Sequence, residues 1–89
     1  MEDTLGLIEE SRQLARDLGY EVREEPLGDL AGGPCVIAGR RAILLNLEQS
    51  AAERLAVLLQ TLGSDPAARS QPVSRLLAAR LAAAVQPPP

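Results

Sequence analysis

Apolar residues return every three to four positions near the start of the chain: Leu7, Leu14 and Leu18 lie along one stripe, with Ile8, Ser11 and Ala15 beside it. That period is the mark of a helix with one buried face, so "DTLGLIEESRQLARDLG" predicts an amphipathic helix. Asp3 or Thr4 caps its start, Gly19 sits where it ends, and Glu9, Glu10, Arg12, Arg16 and Asp17 fall mostly on the solvated side. The period then drops to two. In "YEVREE", Tyr20 and Val22 share one face while Glu21, Arg23 and Glu25 share the other, the pattern of a half-buried strand stopped by Pro26. "PLGDLAGGP" follows as loop.

"CVIAGRRAILLN" has two apolar runs about Gly39-Arg40, and a Gly-X pair suits a two-residue type II′ hairpin turn. Folded on that turn, Ala38 faces Arg41, Ile37 faces Ala42, Val36 faces Ile43 and Cys35 faces Leu44. One face then carries Cys35, Ile37, Ala42 and Leu44, the other Val36, Ala38, Ile43 and Leu45. Both faces are apolar. A sheet wetted on one side alternates with polar residues, so this ribbon calls for a cover on each side.

"SAAERLAVLLQTLG" predicts the strongest helix, opened by a Ser50/Glu53 capping box, buried along Leu55, Leu58, Leu59 and Leu62, and ended by Gly63. "SDPAARSQP" is a linker with short helical turns, Asp65 capping and Pro66 at a first helical position. "PVSRLLAARLAAAV" is a last helix with Val73, Leu76, Leu77, Leu81 and Ala84 on one side, and residues 86–89 are a disordered proline tail. The order α-β-β-β-α-α predicts one α+β domain over residues 1–85, a small antiparallel three-stranded sheet covered by helices. The two long helices are expected on one face. The last helix, or a second copy of the chain, is expected on the other.

Composition narrows the chemistry. Leu and Ala dominate the apolar residues and Tyr20 is the only aromatic among 89 residues. A core this small has a thin stability margin that self-association would widen. A net charge of −3 argues against a nucleic-acid partner. No apolar run is long enough to cross a bilayer and the first residues are acidic, so a cytoplasmic location without membrane contact is expected. The absence of His removes His-based metal sites, Ser-His and Cys-His pairs, and the usual neutral-pH proton carrier. A lone cysteine forms no internal disulfide.

No catalytic, cofactor or metal residue is assigned. The glycines of "GGPCVIAG" lead into a strand rather than a helix and have no Lys beside them, so they read as a hairpin entry and not as a phosphate cradle. Cys35, in an apolar strand, reads as a small buried hydrophobe. Glu21, Glu24 and Glu25 are too close in sequence and too exposed for an acid/base pair. Arg40 and Arg41, with Asp29 from the glycine loop, are the candidate contact for an anion or a partner.

"LARDLGYEVREEPLGDLAGGPCVIAGRRAILLN" resembles the N-terminal part of ImmA/IrrE-type zinc metallopeptidases, which share an "LA..LG..V" step and a hairpin with "G...I.LN" before a helix bearing HELGH. At the matching place this chain has Gln60, Thr61, Leu62, Gly63 and Ser64. The zinc-binding histidines and the catalytic Glu of that motif are missing, so the resemblance implies the αβββα shape without metal or activated water. The chain is also similar to small bacterial proteins of unknown function with an "LGYEVR" step, a "GG.C" hairpin entry and an "LN" or "LD" exit, a likeness that brings no activity. The expectation is a non-catalytic protein-binding or accessory module, partnered by itself or another protein and needing no cofactor. The alternatives are a small ligand-binding protein or enzyme with an Arg/carboxylate site at the glycine loop, or a catalytically dead peptidase relative that holds a peptide.

Overall fold

Asp3 opens helix α1 (Thr4–Asp17) by accepting from the Gly6 amide at 2.9 Å, in the computed structural model, which describes residues 3–85. The expected proline tail at 86–89 lies outside the described residues. Leu7, Ile8, Ser11, Leu14 and Ala15 are the buried face of α1, as the stripe predicts. Strands β1 (Glu21–Glu25), β2 (Gly33–Ile37) and β3 (Arg40–Asn46) follow, then α2 (Ala51–Gly63), a 3-10 turn (Pro66–Ser70) and α3 (Arg75–Ala84). The order is α-β-β-β-α-α in a small α+β fold, as expected.

The Ser50/Glu53 capping box is present, and Leu55, Leu58, Leu59 and Leu62 are buried. Asp65 caps the 3-10 turn by accepting from the Ala67 amide at 3.0 Å. Helix α3 begins later than its apolar pattern suggests. Ser74 is its cap, with Oγ accepting from the Leu77 amide while the Ser74 amide and hydroxyl both donate to the Glu10 carboxylate on α1. Leu77 and Leu81 are buried, whereas Leu76 is 48% exposed.

The sheet corrects the antiparallel expectation. Its order is β1-β3-β2, with β2 antiparallel to β3 but β1 parallel to it. Residues 26–32 carry the chain past the end of β3, so β3 becomes the centre. The sequence accounts for that choice. Pro34 has no amide to donate and belongs on an edge strand, β1 carries four charged residues in five, and β3 holds the apolar run that both ladders bury.

The hairpin turn is also corrected. Ile37 pairs with Arg40 and Cys35 with Ala42, so the two loop residues are Ala38 and Gly39 rather than Gly39 and Arg40. Both have positive φ, 51° and 79°, which makes a type I′ turn, whose twist matches that of the flanking strands. Gly39 takes this conformation freely and Ala38 accepts it. The pairing moves by two positions, an even shift, so every side chain keeps its predicted face.

Helices α1 and α2 cover the face of Ile43 and Leu45, and these strand residues join Leu7, Leu14, Leu55, Leu58 and Leu62 in the core. The final helix does not cover the opposite face. It packs on α2 and, less, on α1, because its Leu77 and Leu81 are buried in the core cluster that those helices share. Cys35, Ile37, Ala42 and Leu44 stay outside the core cluster, and all but the small central Ala42 remain only half-buried. The expected cover is therefore absent within the described chain.

Candidate functional site

Arg41 leaves β3 on the helix side of the sheet. Its guanidinium lies over the Tyr20 ring, 4.3 Å from the centroid, and donates to the Leu18 carbonyl at 2.7 Å, the Tyr20 hydroxyl at 3.3 Å and Asp65 Oδ2 at 3.2 Å. Tyr20 donates its hydroxyl to the same Asp65 oxygen at 2.8 Å. The Ala67 amide, followed by Tyr20 and Arg41, holds the Asp65 carboxyl below its usual range, and burial raises it only in part. Burial first, then the Asp65 hydrogen bond and charge, pushes the Tyr20 hydroxyl up, against the pull of Arg41. At neutral pH the cluster is thus one cation, one anion and one neutral donor. Such a set has no base poised near neutrality and no activated nucleophile. It locks three elements together: the α1–β1 junction, β3 and the 3-10 turn.

A shallow cleft of about 440 Å³ opens beside this cluster, and Pro34, Gln60, Thr61 and Ser64 help to line it. Gln60, Thr61 and Ser64 are among the residues standing where the peptidase resemblance places its zinc motif. Among the described residues, no group of three or more His, Cys, Asp or Glu is placed to hold a metal ion.

The three residues singled out from sequence do not meet within one chain. Arg41 is engaged with Asp65 and Tyr20 on the helix side, while Arg40, one residue earlier, belongs to the opposite face and is exposed. Asp29 is exposed in the loop at the other end of the sheet. The seven residues of β3 set these ends roughly 20 Å apart. The loop itself is held by Asn46, which is 1% exposed. Asn46 Nδ2 donates to the Gly28 and Leu30 carbonyls at 2.9 and 2.8 Å, and Oδ1 accepts from the Leu27 and Glu48 amides at 3.0 and 2.9 Å.

Two clusters escape the sequence pattern. Arg12 falls on the solvated helix face by periodicity, yet it donates to Glu24 on β1, and Arg54 from α2 donates to the same carboxylate at 3.3 Å. The available signal is the strand alternation itself, which puts Glu24 in phase with the inward Val22. Tyr20 and Asp65 lie 45 positions apart and no local pattern links them. Glu21 and Glu25 pair with Arg23 on the opposite, outer face of β1. Cys35 is half-buried within that same outer face.

Asp65→Asn is expected to lower the unfolding free energy by about 1 kcal/mol at pH 7, since it keeps the cap but loses the ion pair and the charged acceptor. The folded-state pKa is depressed, so this contribution is present above the unfolded carboxylate value of about 4 and is lost as pH falls through the lower folded value. Urea melts of both proteins should therefore differ at pH 7 and converge in strong acid.

No family model, curated protein or solved structure matches the chain.

Proposed function

We propose that this chain is a non-catalytic binding module that pairs with a second copy of itself through the sheet face opposite α1 and α2. The observation that carries this reading is the half-buried cluster of Cys35, Ile37 and Leu44 around Ala42, left without a helix over it. Apolar strand faces of this kind pack on another sheet or helix in folded proteins.

Charge favours a second copy as the occupant. Arg23 pairs with Glu21 and Glu25 along the β1 side of this face, Arg40 stands at one end, and Asp29 and Glu48 of the adjoining loops stand at the other. A two-fold axis lying across the strands sets the Arg40 end of each copy over the acidic end of the other. An isologous contact then satisfies both ends at once. Arg40 and Asp29, far apart in one chain, become neighbours across that axis.

Edge pairing is the weaker route. In a two-residue hairpin the closing pair, Ile37 with Arg40, exchanges both bonds, so Pro34 falls at a position whose nitrogen faces outward. That blunts the free edge of β2 for an added strand, which also weighs against the peptide-holding alternative. The likeness to the small bacterial proteins fits a module of this size, and kinship with them or with the metallopeptidases is part of the proposal. No helix among the described residues is long and apolar enough to cross a membrane.

Sedimentation equilibrium at micromolar concentration should give a dimer. Leu44→Glu should weaken it by at least about a hundredfold, because a charge would be buried unpaired, while the circular dichroism of the monomer stays unchanged. Arg40→Asp should weaken it and a second change, Asp29→Arg, should restore it. A parent chain that is monomeric throughout overturns the proposal.

A further inference from the structure

A second concave feature lies away from the sheet, where the end of α2, the 3-10 turn and α3 meet. Its cavity is about 640 Å³, inside the range of roughly 300–1,000 Å³ that small-molecule sites occupy. The cavity exists because of the sequence around it. Gly63 lets α3 approach closely: a Cβ there would stand 2.8 Å from both the Leu81 carbonyl oxygen and Val85 Cγ1. Pro66 and Pro72 bound the intervening segment, and the short side chains of Ala78 and Ala82 leave the space beside α3 unfilled.

The walls are apolar, with Leu62, Ala68, Val73, Leu81 and Val85 among them, and Arg69 is the one charged residue in the lining. Arg69 is exposed and makes no ion pair among the described residues. The lining segment itself carries charge of one sign: residues 66–85 hold three arginines and no acidic side chain, although the whole chain is net −3. The acidic groups at its borders are engaged, Asp65 with Tyr20 and Arg41 and Glu10 with Ser74. An apolar hollow with a single unpaired guanidinium at its rim favours a ligand with an apolar body and one carboxylate. A cation is disfavoured by the local charge, and a neutral lipid-like molecule leaves the guanidinium unused.

We infer that the cavity between α2, the 3-10 turn and α3 binds a small apolar monocarboxylate, with the hydrocarbon against Leu62, Leu81 and Val85 and the carboxylate on Arg69. This site is separate from the sheet face, so either one can fail without the other.

Methyl-resolved NMR titration of the full chain tests it, with decanoate, decan-1-ol and decyltrimethylammonium as probes below their aggregation thresholds. Decanoate should give saturable shifts at the Leu62, Val73, Leu81 and Val85 methyls. Decan-1-ol should bind there about tenfold more weakly, the usual worth of a charge-assisted hydrogen bond, and the cation more weakly still. Arg69→Gln should reduce decanoate to the level of the alcohol and leave the alcohol unchanged. Ala82→Trp, at an exposed position of α3, should block both. Absence of saturable shifts, equal affinity for the three probes, or shifts centred on Ile37 and Leu44 would overturn the assignment.

Discussion

Asn46→Ala is expected to lower the unfolding free energy by about 3–4 kcal/mol, and with it the melting temperature by roughly 12–32 °C. The substitution removes four hydrogen bonds at once and strands the Leu27 and Glu48 amides and the Gly28 and Leu30 carbonyls. Each buried orphan costs about 1–3 kcal/mol, reduced here where the exposed loop readmits water. Against a total of about 0.05–0.15 kcal/mol per residue, such a loss is a large share of the stability of an 89-residue chain. Asn46→Asp separates hydrogen bonding from volume. A carboxylate still accepts from the two amides but meets the two carbonyls as a repulsive neighbour, so its folded-state pKa should be raised. That variant should be destabilised at pH 7 and should regain stability as pH falls through the raised value, the opposite sign to Asp65. Denaturant melts between pH 4 and pH 8 would show the crossing trends.

The importance of Asn46 marks where local pattern stops being informative. Helix faces are legible because Leu7, Leu14, Leu55, Leu58 and Leu62 repeat with the period of the backbone that buries them. The caps at Ser50 and Asp65 are legible because a cap bonds amides two or three residues away. The face assignment of the hairpin survives the change of turn because parity, not register, decides which side a residue occupies. Strand order has no comparable signal. Whether β1 lies beside β2 or beside β3 depends on a loop held by a side chain 16 to 19 positions away, and on which strand gains most from two ladders. Pro34 in β2 is the available clue, since a proline argues for an edge. The Tyr20–Arg41–Asp65 lock is invisible for the same reason: its members lie 21 to 45 positions apart and meet only once the strands are ordered. Of the candidate residues, Arg41 is paired with the chain's own Asp65.

Gly32→Ala is the second large effect, with an expected loss of about 2–4 kcal/mol. Gly32 has φ of +80°, and a Cβ there would stand 2.4 Å from the Leu44 carbonyl oxygen, a backbone atom with no rotamer to move aside. Left-handed backbone costs a side chain about 1 kcal/mol, and relieving the contact must shift either the loop or β3. Gly39 supplies a matched control, with φ of +79° and nothing within 4 Å of the place a Cβ would take, so Gly39→Ala should show the conformational cost alone. The difference between the two melts isolates the close approach by which the loop crosses the end of β3. Equal losses would mean that the loop relaxes freely and that the close crossing does not hold β2 in place. Because Gly32 and Asn46 constrain the same crossing, the double variant should lose less than the sum of the single losses. Once either constraint is broken, the loop no longer holds the geometry that the other one needs. That non-additivity would tie the mixed sheet order, and the uncovered face it produces, to these two residues.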